Sequence, residues 1–206
     1  SQIDANRMAL SKEYTSLTEI IESAISSVRP LLTSKNLSVQ CDIPADIPDI
    51  CCDRTRINEV LLNLFSNAGR FTEQGGIRIQ VEHDINHVIV SVADTGPGII
   101  AEDMQKIFKP FQQVDSSIRR RYGGNGLGLT ISKSIIELHD GKMWVESQKG
   151  RGTTFFFKLP IDPIPQPYSG PARWLNRYPM REERSRQPQF HAAALKPRLV
   201  VVERGS

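Results

Sequence analysis

Apolar residues recur at spacings of three and four through residues 17–28, where Leu17, Ile20, Ile21, Ala24, Ile25 and Val28 fall on one face of a helix. Residues 37–43 (LSVQCDI) instead alternate apolar and polar positions, as a strand does. Asp53 stands where a helix N-cap is expected, and Ile57, Val60, Leu61, Leu64 and Phe65 form a second helical stripe that runs to about residue 72 and stops near the turn EQGG. Two alternating runs, IRIQVEH and HVIVSVAD, flank Asp84, Ile85 and Asn86 and read as a hairpin whose second strand leads into Asp94. TISKSIIELH returns to helical spacing, and GKMWVES and GTTFFFKLP add two strands joined at KGRG. About three helices and five strands in mixed order predict an α+β domain, a two-layer α/β sandwich with the helices on one face of a mixed five-stranded sheet.

The pattern breaks after residue 160. Six of the 13 prolines lie between Pro160 and Pro179, and MREERSRQPQ follows, so residues 161–196 read as a Pro-rich, charged linker. LVVVE, residues 199–203, reads as the start of a buried strand on which no fold is built. The net charge of +3 belongs to this tail, which carries eight Lys/Arg against four Asp/Glu from Ile161 onward, so the basic balance does not argue for nucleic-acid binding. No apolar run approaches the roughly 18 residues of a membrane span. Residues 1–11 are not of the signal-peptide kind. Cys41, Cys51 and Cys52 offer neither a ready disulfide nor a metal-ligand spacing with histidine, which points to a reducing cytoplasm.

The candidate chemistry sits on three segments. DTGPGI, residues 94–99, follows a strand, so Asp94 emerges at a strand end where Gly96 and Gly98 let backbone approach a ligand. GGNGLGL, residues 123–129, runs into a helix whose free N-terminal N–H groups favour phosphate oxygens. Asn63 and Asn67 are four apart on one helix face among apolar residues. Such a pair serves equally as capping or core-satisfying amides or as neutral oxygen donors beside a phosphate site, where Mg²⁺ takes hard oxygen ligands.

Taken in order, NLFSNAGRFT, DTGPGI, FKPF and GGNGLGLTIS resemble the N box, first glycine box, F box and second glycine box of the ATP-binding catalytic domain of sensor histidine kinases, of the GHKL or Bergerat-fold superfamily. The resemblance spans residues 15–160. It implies that Asp94 accepts a hydrogen bond from the adenine amine, with Gly96 and Gly98 shaping the turn and Ile99 and Phe71 packing against the base. Phe71 reads equally as core. It implies Asn67 as the Mg²⁺ ligand, with Asn63 one turn earlier, and Arg70 at the phosphates; a solvated arginine is the plain alternative. Gly124, Asn125, Gly126, Leu127 and Gly128 would cradle the phosphates of ATP, Asn125 standing where Thr or Ser is more usual.

Residues 101–122 would then be a lid over the nucleotide, tethered by Phe108 and Phe111 to the domain or to the acceptor helices, and poorly ordered without nucleotide. Arg119, Arg120 and Arg121 read either as a solvated run or as phosphate contacts. Gly69 departs from the larger apolar residue usual there, and Cys51 and Cys52 from an apolar residue and glycine.

Related ATPases of this fold hydrolyse ATP with a glutamate where Asn63 stands, and an amide is no general base. Hydrolysis is the weaker expectation, Glu59 being a further turn away. Residues 1–14 resemble the junction after the second helix of a dimerisation and histidine phosphotransfer domain. Residues 197–206 resemble the first strand of a receiver domain, implying a hybrid kinase, a two-component phosphorelay and a homodimeric parent; an apolar tail or an expression scar at Gly205 and Ser206 fits as well. None of His83, His87, His139 and His191 lies in an acceptor motif such as SHELRTP, so the expected activity is phosphotransfer to a histidine on another domain, not on this chain. A nucleotide-responsive interaction module and a serine-directed kinase of the anti-sigma type are the alternatives.

Overall fold

The computed structural model describes residues 9–111 and 126–162. The chain begins with a short strand, β1 (Glu13–Thr15), followed by helix α1 (Leu17–Ser34), strands β2 (Ser38–Asp42) and β3 (Ile50–Cys52), and helix α2 (Arg54–Phe71). The hairpin β4 (Gly76–His83) and β5 (His87–Asp94) follows, then a single helical turn, α3 (Ala101–Met104), helix α4 (Gly128–Leu138), and strands β6 (Lys142–Gln148) and β7 (Gly152–Pro160).

Five strands form one mixed sheet in the order β2-β4-β5-β7-β6, with β2 and β4 parallel and every other pairing antiparallel. The predicted turn closes the β4–β5 hairpin: Asp84 Oδ1 accepts from the N–H groups of Asn86 (2.7 Å) and His87 (2.8 Å). Alternate positions of β4, β5 and β7 are buried, among them Ile79, Val90 and Phe157, and pack on the apolar stripes of α1, α2 and α4. Each such side chain contributes about 1.5–3 kcal/mol over its exposed state. The opposite face carries polar cross-strand pairs, Gln40 with Arg78 and Asp42 with Gln80, and a stacked Trp144–Phe156 pair with ring centroids 5.1 Å apart. The expected sandwich, with helices on one side of a five-stranded sheet, is the fold observed.

Helix α1 runs past the predicted end at Val28, through Pro30, to Ser34. Proline removes one intrahelical bond, yet Leu32 continues the buried stripe, and tertiary burial outweighs the local break. The periodicity also conceals a two-stranded ribbon in which β1 pairs antiparallel with β3, Tyr14 opposite Cys51. Cys52, on this ribbon, is buried, and burial above all pushes its thiol up to about 12, so it packs as a small apolar group. All three cysteines are free.

Two capping arrangements fix α2. At its start, Asp53 Oδ1 accepts from Arg56 N–H (3.1 Å) and Oδ2 from Ser11 N–H (2.9 Å), while the Asp53 N–H donates to Nε2 of the buried His139 (3.0 Å). His139 Nδ1–H donates in turn to the Ile135 carbonyl (2.8 Å), which sets the neutral tautomer. Burial raises the Asp53 carboxyl, but the N–H bonds from Ser11 and Arg56 and the charge of Arg56 outweigh it and hold the group below its ordinary value. At the far end, Lys35 Nζ donates to the carbonyls of Gly69 (2.8 Å), Arg70 (2.7 Å) and Thr72 (3.1 Å), placing a cation on the negative end of the helix.

Gly69 is explained at the same contact. A Cβ there would lie 2.8 Å from Leu32 Cδ2 and 3.0 Å from Leu31 Cδ2, so its absence lets α1 and α2 approach. Among the described residues no helix is long and apolar enough to cross a membrane.

Candidate functional site

Asp94 ends β5, paired with Ile77 on one side and Thr153 on the other. Its Oδ1 accepts from Gly96 N–H (2.8 Å), which folds the carboxylate over the start of the turn. Burial pushes the carboxyl above its ordinary value, opposed by the N–H groups of Gly96 and Thr153.

The turn that follows is built against the β6–β7 hairpin. Gly98 has φ +69°, and a Cβ on it would run into the Gln148 carbonyl; Gly152, at φ +92°, lies in the same way against the carbonyl of Asp94. Ser147 ties the pieces together. Its Oγ accepts from Ile99 N–H (2.8 Å), donates to the Gly152 carbonyl (2.8 Å) and lies 3.0 Å from Thr153 Oγ1. Gly96 approaches the last turn of α2, since a Cβ on it would lie 3.3 Å from the Phe71 carbonyl oxygen. Phe71 and Ile99 are both half-buried.

The other half of the site lies between α2 and α4. Asn67 Nδ2 donates to Asn63 Oδ1 (3.4 Å), and Asn63 Nδ2 donates to Ser132 Oγ on α4 (2.9 Å). Gly128, the first residue of α4, lies so close to the Asn63 amide that a Cβ would be 3.0 Å from Cγ. Leu127 precedes α4 without a side-chain bond to its first turn, which leaves that turn's N–H groups for an anion, and Gly126 has the left-handed φ of +65°. Arg70 is exposed in the last turn of α2. Gly124, Asn125 and Arg119 to Arg121 lie outside the described residues, as does the order expected of the lid's later part.

The donor set fits a hard cation. With its nitrogen committed to Asn63, Asn67 keeps a neutral amide oxygen, the kind of ligand Mg²⁺ takes while retaining waters. Among the described residues no cluster of three His, Cys, Asp or Glu competes for a metal. Glu59 is bonded to Arg56 (3.0 Å).

The two phenylalanines expected to tether the lid part company. Phe108 is held on the domain: its carbonyl accepts from Thr130 Oγ1 (3.0 Å), its ring meets Phe155 edge-on at 6.4 Å, and Lys133 Nζ lies 5.2 Å from the ring centre. Phe111, at φ +60°, is 73% exposed. Ser132 and Ser147 escaped sequence reading because a lone serine inside a helix or strand carries no periodic signal.

Residues 52–163 match the family model described as histidine kinase-, DNA gyrase B- and HSP90-like ATPase. The chain is 37% identical over 172 residues to the autoinducer 2 sensor kinase/phosphatase LuxQ of Vibrio cholerae, covering 81% of this chain and 20% of that protein. It thus spans about a fifth of the length of that relative. The catalytic domain of histidine kinase ThkA, in a nucleotide-free form, superposes with a TM-score of 0.64 at 34% identity, covering 74% of this chain and 97% of that one. ThkA has also been solved in complex with the response regulator TrrA (TM-score 0.62, 32% identity, 73% and 42% of the two chains). Full-length ShkA in complex with AMPPNP gives a TM-score of 0.67 at 28% identity, over 75% and 32% of the two chains. The chain therefore belongs to the histidine kinase-, DNA gyrase B- and HSP90-like ATPases, with the Bergerat fold of the histidine kinase catalytic domains.

Proposed function

We propose that this chain binds Mg·ATP and transfers the γ-phosphoryl group to a histidine on a dimerisation domain outside it, as the cytoplasmic catalytic part of a two-component sensor kinase. The observation that carries this reading is a carboxylate acceptor at a strand end, Asp94, whose turn meets the last turn of α2, together with an amide row on that same helix bonded to α4, whose first turn Leu127 leaves without a side-chain cap. The neighbour solved with AMPPNP supports the ligand, and the ThkA complex supports a receiver domain as downstream partner.

Asp94 accepts from the adenine exocyclic amine. Guanine presents a carbonyl at that place, so two acceptors would face each other and GTP is rejected. Gly96 and Gly98 keep the wall under the base low, and Ile99 and Phe71 pack on its faces. The N–H groups from Gly126 to Gly128, with those of Gly124 and Asn125, hold phosphate oxygens, and Arg70 adds positive charge. Asn67 holds Mg²⁺, which when bound neutralises charge on the β- and γ-phosphates.

With ATP positioned, the acceptor imidazole nitrogen attacks the γ-phosphorus. An N–P bond forms, the bond to the β–γ bridging oxygen breaks, ADP leaves and the imidazole proton passes to solvent. Asn63 offers no base for water, and its amide is already bonded to Ser132, which disfavours hydrolysis. Phe111, exposed beside the anchored Phe108, supports a contact with the acceptor helices.

Calorimetric titration of the full chain with Mg·ADP and a non-hydrolysable ATP analogue tests the binding half. Adding separate acceptor helices with ATP and assaying acid-labile, base-stable phosphate tests the transfer half. Saturable binding without transfer would leave a nucleotide-responsive interaction module in its place.

A further inference from the structure

We infer that Ser132 is a positioning residue for the metal: its buried hydroxyl orients the Asn63 amide, which in turn orients the Asn67 amide so that Oδ1 rather than Nδ2 is offered to Mg²⁺. This rests on the reading of Asn67 as the metal ligand.

An asparagine amide has two faces of nearly equal shape and opposite chemistry, one that accepts and one that only donates. A ligand asparagine turned the wrong way points two N–H bonds at the cation. Nothing within Asn67 prevents that half-turn, so the choice is made by its neighbour.

The neighbour is Asn63, and its own amide is anchored on α4. Ser132 Oγ takes the Asn63 Nδ2–H at 2.9 Å and is itself only 2% exposed, so water does not compete for the bond. With the nitrogen drawn to α4, Asn63 Oδ1 is left facing position 67, where it can only accept. Asn67 answers with Nδ2 at 3.4 Å, and its own oxygen remains for the cation. Gly128 closes the arrangement from one turn earlier on α4, leaving the Asn63 amide little room to swing.

The row therefore has one polarity in the structure, with the Ser132 hydroxyl accepting at one end and the Asn67 oxygen left over at the other. Removing the hydroxyl strands Asn63 Nδ2 without its acceptor, and the low-energy answer is for the amide to turn over. Asn63 then presents its nitrogen to Asn67, which must accept with Oδ1 and so turns Nδ2 toward the metal.

The experiment measures ADP affinity of the full chain by calorimetry across a Mg²⁺ series and in EDTA, for the parent, Ser132→Ala, Ser132→Thr and Asn67→Ala. Ser132→Ala is expected to raise the Mg²⁺ concentration for half-maximal enhancement roughly 10-fold or more, the usual cost of losing a group that orients a metal ligand. Metal-free ADP affinity stays at the parent level, because adenine is held at Asp94. Ser132→Thr, which keeps the hydroxyl, restores the metal response.

Equal Mg²⁺ responses for Ser132→Ala and the parent, with Asn67→Ala lowering the response, would overturn this inference alone. An unchanged response in Asn67→Ala would remove the metal-ligand reading on which it rests. Should Ser132→Ala not fold, Asn63→Ala breaks the same row from its middle; a parent-like response there would equally overturn the proposal.

Discussion

The two halves of the candidate site are made of different material. On the Asp94 side the wall is backbone: Gly98 and Gly152 lie against carbonyl oxygens, and Ser147 knits the turn to the β6–β7 hairpin. On the Asn67 side the wall is side chain, a row of amides and one hydroxyl between two helices. A backbone wall cannot give without moving a strand, whereas a side-chain wall can rearrange at little cost to the fold. The first half should fail by unfolding and the second by misreading its ligand.

The strongest test of that contrast is Gly152→Ala. The added methyl meets the Asp94 carbonyl, and the residue must hold φ +92°. We expect a loss of about 3 kcal/mol or more of stability, from left-handed strain and overpacking together, measured by urea unfolding.

Asp94→Asn separates stability from binding. Nucleotide affinity should fall on the order of 10-fold to 100-fold by calorimetry, as expected on weakening a charged hydrogen bond. Stability at neutral pH should rise, because the raised folded pKa means that ionised Asp94 is disfavoured by burial. The favourable contribution of this group is full below its unfolded pKa and is lost as pH rises through the folded value, so the advantage of Asn disappears in acid. Binding by the parent runs the other way. It needs the carboxylate, and should weaken as pH falls through that raised value, at a higher pH than an ordinary aspartate would set.

Gly128→Ala probes the side-chain wall. Any gain in helix propensity, at most about 1 kcal/mol, is offset by overlap of the methyl with the bonded Asn63 amide, so the thermal midpoint should change little or fall. The same methyl displaces the Asn63 amide, so Mg²⁺ enhancement of ADP binding should drop severalfold, about 1 kcal/mol by the tenfold rule. Because the Gly128 N–H also belongs to the proposed phosphate cradle, metal-free ADP affinity is measured alongside, and an unchanged Mg²⁺ enhancement would break the proposed division of labour.

The smallest effect is expected at Gly69→Ala. The gain in helix propensity is offset by displacement of the flexible ends of Leu31 and Leu32, for a net change within about 1 kcal/mol in either direction.

Much of this was legible in the amino-acid order because the responsible signals are local. Asp94 follows an alternating strand, the glycines stand at turn spacing, and Asn63 and Asn67 share a helix face through their separation alone. What escaped depends on contacts across the fold. Gly69 departs from the usual larger residue because Leu31 and Leu32 lie over it, and α1 continues beyond Val28 and Pro30 because Leu32 still has a core to enter. The β1–β3 ribbon has three residues per strand, too few for a period to show. Ser132 and Ser147 act through one oxygen each, and only the neighbours supplied by folding reveal what that oxygen does.

One carboxylate joins mechanics to these chemical roles. Asp53 caps α2 with one oxygen and tethers the incoming chain at Ser11 with the other, while its N–H is held by His139 at the end of α4. Helix α2 is a stiff rod, and Asn67 lies 14 residues along it, about 21 Å from that knot at 1.5 Å per residue. The segment at Ser11 is bonded to the base of the rod that carries the amide row. One carboxylate thus fixes both where the chain enters the domain and where the amide row begins its run.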